Sequence, residues 1–454
     1  MSAFSLEAMT KSTKEELKAL KEEAIAEWDA SALKEMDLLT SKTSSGEKPT
    51  LNTENICRVL RKHWRFSSRF RYDDFRSLFE IKHYDRARRP GWQPLEDSDI
   101  LDTQSTIAST LDFFQKVGKD MVYDAIIKVS KENTYDSARD YIKSIKWDEI
   151  PRLSSWLTHT YGTPDDIYHQ AVGSNWLKGL VKRICEPGCK FDYVLVLEGE
   201  QGVRKSTSLA VLGGDWHVET TMSTDNKDFF MQFQGKAIIE FSEGETLNRT
   251  EVKRMKAIIT MQSDKYRPPY GRVSVDFPRR CVFAMTTNQA EYLKDETGNR
   301  RWLPVAVCLP QANTEWLQEN REQLLAEAYH RIFTLKETIH EFPVKETLQA
   351  QDERRIKDPN MELIATWYMT ELDQKARDEG ITIDQVFKHA INGGFGGRGK
   401  NKVEEMSIAN VLRNDLGLTK RQTIKDGVRI RRWFSDPLKD MTISVAEEEN
   451  ARNF

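Results

Sequence analysis

The sequence predicts an α/β protein whose largely parallel central sheet lies between helical regions. Three observations carry that expectation. Between residues 191 and 310, short β-rich apolar runs alternate with helix-favouring segments and Gly/Asn turns, the succession of a parallel sheet with crossover helices. One run, residues 194–197, passes directly into a glycine-bearing loop and then a helical segment at 208–212. On either side, at 97–156 and again after about 345, apolar residues recur at helical spacing.

Composition narrows the function classes. A chain of 454 residues has length for roughly three domains. With 39% hydrophobic and 31% charged residues, and 68 Lys+Arg set against 71 Asp+Glu, the formal net charge is only -3. The longest apolar runs, such as 193–197, reach strand length, far below the roughly 20 residues that cross a bilayer. Residues 1–29 are charged and carry neither an apolar signal core nor a small-residue cleavage site. The expectation is a cytoplasmic protein without a membrane segment. Five cysteines, at 57, 185, 189, 281 and 308, show no paired CxxC spacing, so neither a disulfide framework nor a structural zinc site is expected.

The elements follow in chain order. Residues 1–50 read as a helical tail closed by a Ser/Gly/Lys/Pro linker at 41–50. Residues 51–156 read as an accessory domain. Its first part, 57–89, holds eleven Lys/Arg against four Asp/Glu, with Trp64, Phe66, Phe70, Tyr72, Phe75, Phe79 and Tyr84 among the cations. That composition suits nucleic-acid backbone and stacking contacts. A small aromatic core with a basic rim is the competing reading, since Phe75, Leu78 and Phe79 sit at helical spacing. Residues 157–345 form the α/β core, with strands expected at 193–197, 237–241, 273–277 and 281–285. Residues 346–454 turn helical again, pass the glycine-rich stretch 393–399, and continue into a helix at 407–416 and an alternating segment at 423–434 broken by Asp426-Gly427. The Asp-Gly pair signals a hairpin. Helix followed by hairpin, with ten Lys/Arg against four Asp/Glu over 398–432, resembles a winged-helix module.

The sharpest motif is Gly199-Glu200-Gln201-Gly202-Val203-Arg204-Lys205-Ser206-Thr207, a Walker A loop set between strand and helix. Such a loop aims successive backbone N–H groups at a phosphate, and the helix adds its positive end. Lys205 neutralises the β- and γ-oxygens of ATP, and the Ser206 hydroxyl completes Mg²⁺ coordination. One slot departs from the pattern: Arg204 stands where the second glycine belongs, so its side chain must leave the phosphate path or join it. A later strand ends in two carboxylates, Ala237-Ile238-Ile239-Glu240-Phe241-Ser242-Glu243. Glu243 is the candidate to polarise water, and Glu240 to hold the Mg²⁺ shell or orient Glu243, unless Glu240 merely faces solvent or a lysine. The strand at 281–285 ends in Thr286-Thr287-Asn288, which puts an amide beside the expected γ-phosphate.

In this order, with Gly298-Asn299-Arg300-Arg301-Trp302 following, the motifs resemble superfamily 3 helicases and, more closely, the virulence-associated E family of phage and mobile-element P-loop ATPases. Linking phrases share the resemblance: Asp140-Tyr141-Ile142, Lys146-Trp147-Asp148, Arg152-Leu153, Glu186-Pro187-Gly188-Cys189-Lys190 and Arg267-Pro268-Pro269-Tyr270-Gly271-Arg272. It covers roughly residues 51–307. It implies a P-loop ATPase core of the AAA+ or superfamily 3 type, without the primase domain of larger members, and a ring, expected to be hexameric. Arg300 and Arg301 would then reach a neighbouring subunit's ATP, or else pair with Asp295 or Glu296. Residues 265–272 would form a hairpin tracking DNA, where Lys265, Arg267 and Arg272 neutralise phosphates and Tyr270 stacks; the alternative is a surface turn. The function expected is an ATP-dependent DNA helicase or translocase acting in replication of such an element. The alternatives are a DNA-stimulated ATPase that remodels protein-DNA complexes and a nucleotide-gated DNA-binding regulator.

Overall fold

The computed structural model describes residues 35–44, 46–83, 91–221, 229–242, 249–267, 274–293, 299–356, 358–392, 399–425 and 428–435. It resolves into two units, Met1–Asn288 with Trp302–Val344, and Gln289–Arg301 with Lys345–Phe454.

In the first unit the accessory part begins with a short hairpin, β1 (Thr40–Thr43) and β2 (Gly46–Pro49), followed by α1 (Thr53–Lys62). Asn52 caps α1 by accepting the Asn55 N–H, and the helix buries Ile56, Cys57, Val59 and Leu60 completely. Three strands, β3 (Phe70–Asp73), β4 (Leu78–His83) and β5 (Gly91–Pro94), and the helices α2 (Asp97–Thr110) and α3 (Lys119–Glu132) complete this layer with β6 (Thr134–Tyr135). The sheet order is β5-β4-β3-β6. This corrects the helical reading of Phe75, Leu78 and Phe79: β3 turns back into β4 through Ser77, at φ 50°, and Tyr72 pairs across the strands with Phe79. Phe66, Phe70, Tyr72 and Phe75 are buried. The aromatics of 57–89 therefore serve largely as core, while Trp64 stays exposed and Tyr84 lies outside the described residues. Several of the arginines are committed as well, Arg61 to Glu132 at 2.7 Å and Arg71 to Glu80 at 2.7 Å.

The core part follows with α4 (Ser137–Ser144), α5 (Trp156–Tyr161) and α6 (Ile167–Cys185). Next come β7 (Val194–Glu198), α7 (Lys205–Gly213), β8 (His217–Thr220), β9 (Ile238–Phe241) and α8 (Arg249–Thr260). An antiparallel pair, β10 (Ser263–Tyr266) and β11 (Val275–Pro278), precedes β12 (Val282–Thr287), β13 (Trp302–Ala306) and α9 (Thr314–Phe333). Five strands make one parallel sheet in the order β13-β7-β12-β9-β8. The three inner strands β7, β12 and β9 are buried along their whole length, which is why, Glu240 and the strand ends apart, they read as near-continuous apolar runs rather than alternating ones. Helix α6 packs on this sheet: Trp176 donates to the Phe283 carbonyl at 3.1 Å, and Gly179 leaves room for the Phe191 ring, which a Cβ would meet at 2.4 Å.

Two of the linking phrases take structural roles. Buried Glu327 of α9 accepts the Arg152 N–H at 2.6 Å and the Leu153 N–H at 3.0 Å, and Arg152 also pairs with Asp148 at 2.7 Å. These contacts pin residues 146–153 to α9.

The second unit contains α10 (Val344–Asp352), α11 (Met361–Thr366), α12 (Gln374–Glu379), α13 (Ile383–Val386) and α14 (Lys402–Asn410), then β14 (Thr419–Lys425) paired with β15 (Val428–Phe434). Helix α14 runs on through a π-helical turn, Val411–Asp415. Its core joins Ile364, Trp367, Tyr368, Ile381, Phe387, Ile408, Leu412 and Trp433. Asp426, Gly427 and residues 393–398 lie outside the described residues. No helix among the described residues is long and apolar enough to cross a membrane.

Candidate phosphate-binding site

The loop begins where β7 stops. Gly199 takes φ 151° and Gly202 φ 87°, backbone conformations open to glycine, and a Cβ on Gly199 would press on Val203 and Val307 at 3.3 and 3.4 Å. Glu200, Gln201 and Gly202 are exposed, Val203 is half-buried, and the Val203 carbonyl accepts the Ala312 N–H at 3.0 Å. Arg204, directly before α7, stands at φ 63° and ψ 32°. The backbone thus keeps the left-handed turn that the missing glycine would supply, at a cost of about 1–2 kcal/mol. Its guanidinium is turned to the first residues of α9, 3.2 Å from Glu315 Oε1 and 3.4 Å from Thr314 Oγ1. The Glu315 carboxyl is held below its ordinary range, first by its own backbone N–H and then by Arg204.

Lys205 opens α7, is buried, and donates to the Gly199 carbonyl at 2.7 Å, the Glu200 carbonyl at 2.8 Å and Asn288 Oδ1 at 2.8 Å. Sequence positions 83 apart are thereby joined. The adjacent Ser206 hydroxyl donates to Glu240 Oε1 at 2.5 Å, and Thr286 Oγ1 donates to the same oxygen at 3.0 Å. The other oxygen, Oε2, lies 2.8 Å from His217 Nε2. Glu240 is wholly buried and so does not face solvent, and its described partners are Ser206, Thr286 and His217 rather than a lysine. Thr207 is exposed on the first turn of α7. Behind it, Ser208 bonds the Tyr161 hydroxyl at 2.9 Å, and burial pushes the Tyr161 phenol well above its usual range.

A cleft of about 340 Å³ is lined by Gly202, Lys205, Ser206, Glu219, Ser242 and Asn288, among others. It sits at the carboxyl ends of β7, β9 and β12, beside the point where the strand order reverses, the usual place for a ligand in an open α/β sheet. Among the described residues no group of three or more His, Cys, Asp or Glu is placed to hold a metal ion. A hydroxyl and one carboxylate nonetheless suit Mg²⁺, which keeps several waters and takes its remaining oxygens from phosphate. Burial pushes the Cys185 thiol up to about 12 and raises that of Cys189.

The remaining expected residues fall elsewhere. Glu243, Tyr270 and Arg272 lie outside the described residues. Lys265, on β10, and Arg267, just beyond it, are exposed on the antiparallel β10–β11 pair. Arg300 and Arg301 belong to the second unit, on the short turn Asn299–Arg301, the first exposed and the second half-buried. Sequence reasoning missed Thr286, His217 and Glu315. Thr286 was within reach, because a strand places residues two apart on one face and Asn288 was already singled out. His217 and Glu315 carry no local signal, since only the tertiary fold brings them to Glu240 and Arg204.

No curated protein matches the chain. Among solved structures, two described as the apo structure of NrS-1 C terminal region (305-718) and the A form apo structure of the same region are similar to it, each at 14% identity and a TM-score of 0.45, covering 81% of this chain and 96% of theirs. Residues 142–358, which contain the whole parallel sheet and the loop after β7, match the virulence-associated protein E-like domain, the family that the motifs resemble.

Proposed function

We propose that the chain binds ATP with Mg²⁺ at residues 199–207 and hydrolyses it to drive movement along DNA, as a helicase or translocase. The observation that carries this reading is the convergence of three separate stretches of sequence, Lys205-Ser206, Glu240 and Asn288: Lys205, Ser206 and Asn288 line one cleft, and buried Glu240 is bonded to Ser206. In it the loop amides and Lys205 hold the phosphates, and Asn288, bonded to Lys205, reports the γ-phosphate to β12. Ser206 and Glu240 hold the metal, whose charge offsets that developing on the phosphate oxygens. Glu243, three residues beyond Glu240, orients the attacking water. Strand order supports the P-loop core, because the strand before the loop lies inside the sheet with β12 as its neighbour.

DNA is assigned to two basic hairpins. Exposed Lys265 and Arg267 sit on the first, followed in sequence by Tyr270 and Arg272, and exposed Arg429 and Arg431 lie on β15. Arg421 and Arg432 face each other across β14 and β15, a like-charge pairing that costs free energy in isolation and favours a polyanion nearby. A mobile-element setting and a hexameric ring, with Arg300 or Arg301 completing a neighbour's site, are what the family resemblance implies. The test is ATP turnover with and without single-stranded DNA across a range of protein concentration. Stimulation by DNA and a rate rising more steeply than concentration support the motor; DNA binding without turnover supports a nucleotide-gated regulator instead.

A further inference from the structure

We infer that His217 is a positioning residue for Glu240, fixing the carboxylate so that one oxygen stays aimed at Ser206; the inference rests on the Mg²⁺-ATP reading of this site. Glu240 is fully buried, and a buried carboxylate is tolerated only where its oxygens find donors. Both hydroxyl donors, Ser206 and Thr286, fall on Oε1. Oε2 is held by His217 alone among the described contacts, at 2.8 Å. Because a carboxylate only accepts, the ring nitrogen facing it carries a proton and donates. With both oxygens engaged, the plane of the carboxylate cannot rotate. Without the ring, Oε2 would be a buried acceptor lacking a donor, and the group would turn to share the two hydroxyls.

A second observation shows that the fold makes room for this contact. Helix α7 begins with Lys205 and Ser206 and ends at Gly213, where a Cβ would come 2.7 Å from His217 Cβ and 3.4 Å from Ile238 Cδ1. Gly213 is in an ordinary helical conformation, φ -79°, so glycine there serves close approach rather than a turn. The missing side chain lets β8 lie against the end of the same helix whose start carries Ser206. One helix therefore sets both the hydroxyl and the distance of the imidazole from Glu240.

The experiment measures equilibrium binding of a fluorescent ATP analogue, with and without Mg²⁺, to the full chain and four variants. His217→Leu removes the donor and keeps bulk; His217→Gln restores an N–H near the position of Nε2; Gly213→Ala keeps the imidazole but displaces its backbone; Lys205→Ala tests the underlying site. The expected result is Mg²⁺-free binding within about twofold of wild type for the His217 and Gly213 variants. The strengthening by Mg²⁺ should fall about tenfold or more in His217→Leu and Gly213→Ala, the range seen when a group supporting a metal ligand is lost, with most of it kept in His217→Gln. A His217→Leu protein that gains as much from Mg²⁺ as wild type overturns the inference. Equal losses in His217→Leu and His217→Gln also overturn it, because ring shape rather than the donated hydrogen bond would then matter. If wild type binds no nucleotide, or Lys205→Ala binds as wild type does, the phosphate-site reading itself fails, and that outcome is distinct from either of the others.

Discussion

Replacing Arg204 by glycine probes how the loop tolerates a side chain where the motif asks for none. Three contributions are set by the structure. Relieving a left-handed residue at φ 63° returns about 1–2 kcal/mol. Glycine's greater freedom in the unfolded chain takes back about 0.5–1 kcal/mol. The ion pair to Glu315, whose side chain is 73% exposed, is screened by solvent and adds little. These nearly cancel, so Arg204→Gly should change unfolding free energy by less than about 1 kcal/mol. Arg204→Val should be the least stable variant, because a β-branched residue keeps the strain and loses the pair. Urea denaturation of the three proteins reads the stabilities, and nucleotide titration reads the site. Since the guanidinium points to α9, affinity in Arg204→Gly should stay within about threefold of wild type. A tenfold loss of affinity at unchanged stability would refute the reasoning and place the guanidinium on the phosphates.

Three further outcomes follow from other parts of the fold. Arg279→Leu should lower stability by roughly 3–5 kcal/mol in urea denaturation, since it strands the buried carboxylate of Asp264, which Arg279 Nε reaches at 3.0 Å; a change under about 1 kcal/mol would show that the pair is dispensable. The Glu54 carboxyl is held down to about 2 from its ordinary 4.5, chiefly by its hydrogen bond from Lys128 and also by Arg61. Its contribution to stability is complete above about 4.5 and is lost as pH falls towards 2, so Glu54→Gln should flatten acid unfolding in that window, and an unchanged profile would contradict the assignment. Changing Lys265 and Arg267 together to alanine should reduce the salt slope of single-stranded DNA binding by about 1.4 for two lost phosphate contacts, equally for unrelated sequences, whereas an unaltered slope would make the hairpin an ordinary surface turn.

The inner strands were legible because β7, β9 and β12 are buried on both faces and therefore nearly all apolar; the expected runs at 193–197, 237–241 and 281–285 fall within a residue or two of them. The two outer strands were not. Strand β8 is only four residues, His-Val-Glu-Thr, of which Thr220 alone is buried, and β13 carries Pro304, which an edge position accommodates because proline has no N–H to give to a second neighbour. In the accessory part, helical spacing misled at Phe75, Leu78 and Phe79, because a turn at Ser77 resets the phase between two strands. The placement of the loop between a strand and a helix was readable, since its motif residues stand at adjacent positions directly after an apolar run. The groups that hold Glu240 were less so, as the distance from His217 to Glu240 is set by the packing of β8 on α7 and not by any spacing along the chain.

The most direct measurement is steady-state ATP hydrolysis by wild type and Lys205→Ala, prepared alike and matched for thermal unfolding. Lys205 donates to two loop carbonyls and Asn288 at 2.7–2.8 Å and lines the cleft, where the proposed function has it neutralise phosphate charge. The prediction is a folded Lys205→Ala protein whose hydrolysis falls by a factor of about 10² to 10³, the scale of losing one preorganised electrostatic group. A Lys205→Ala protein that hydrolyses ATP at the wild-type rate would contradict the assignment of this cleft as the site of catalysis.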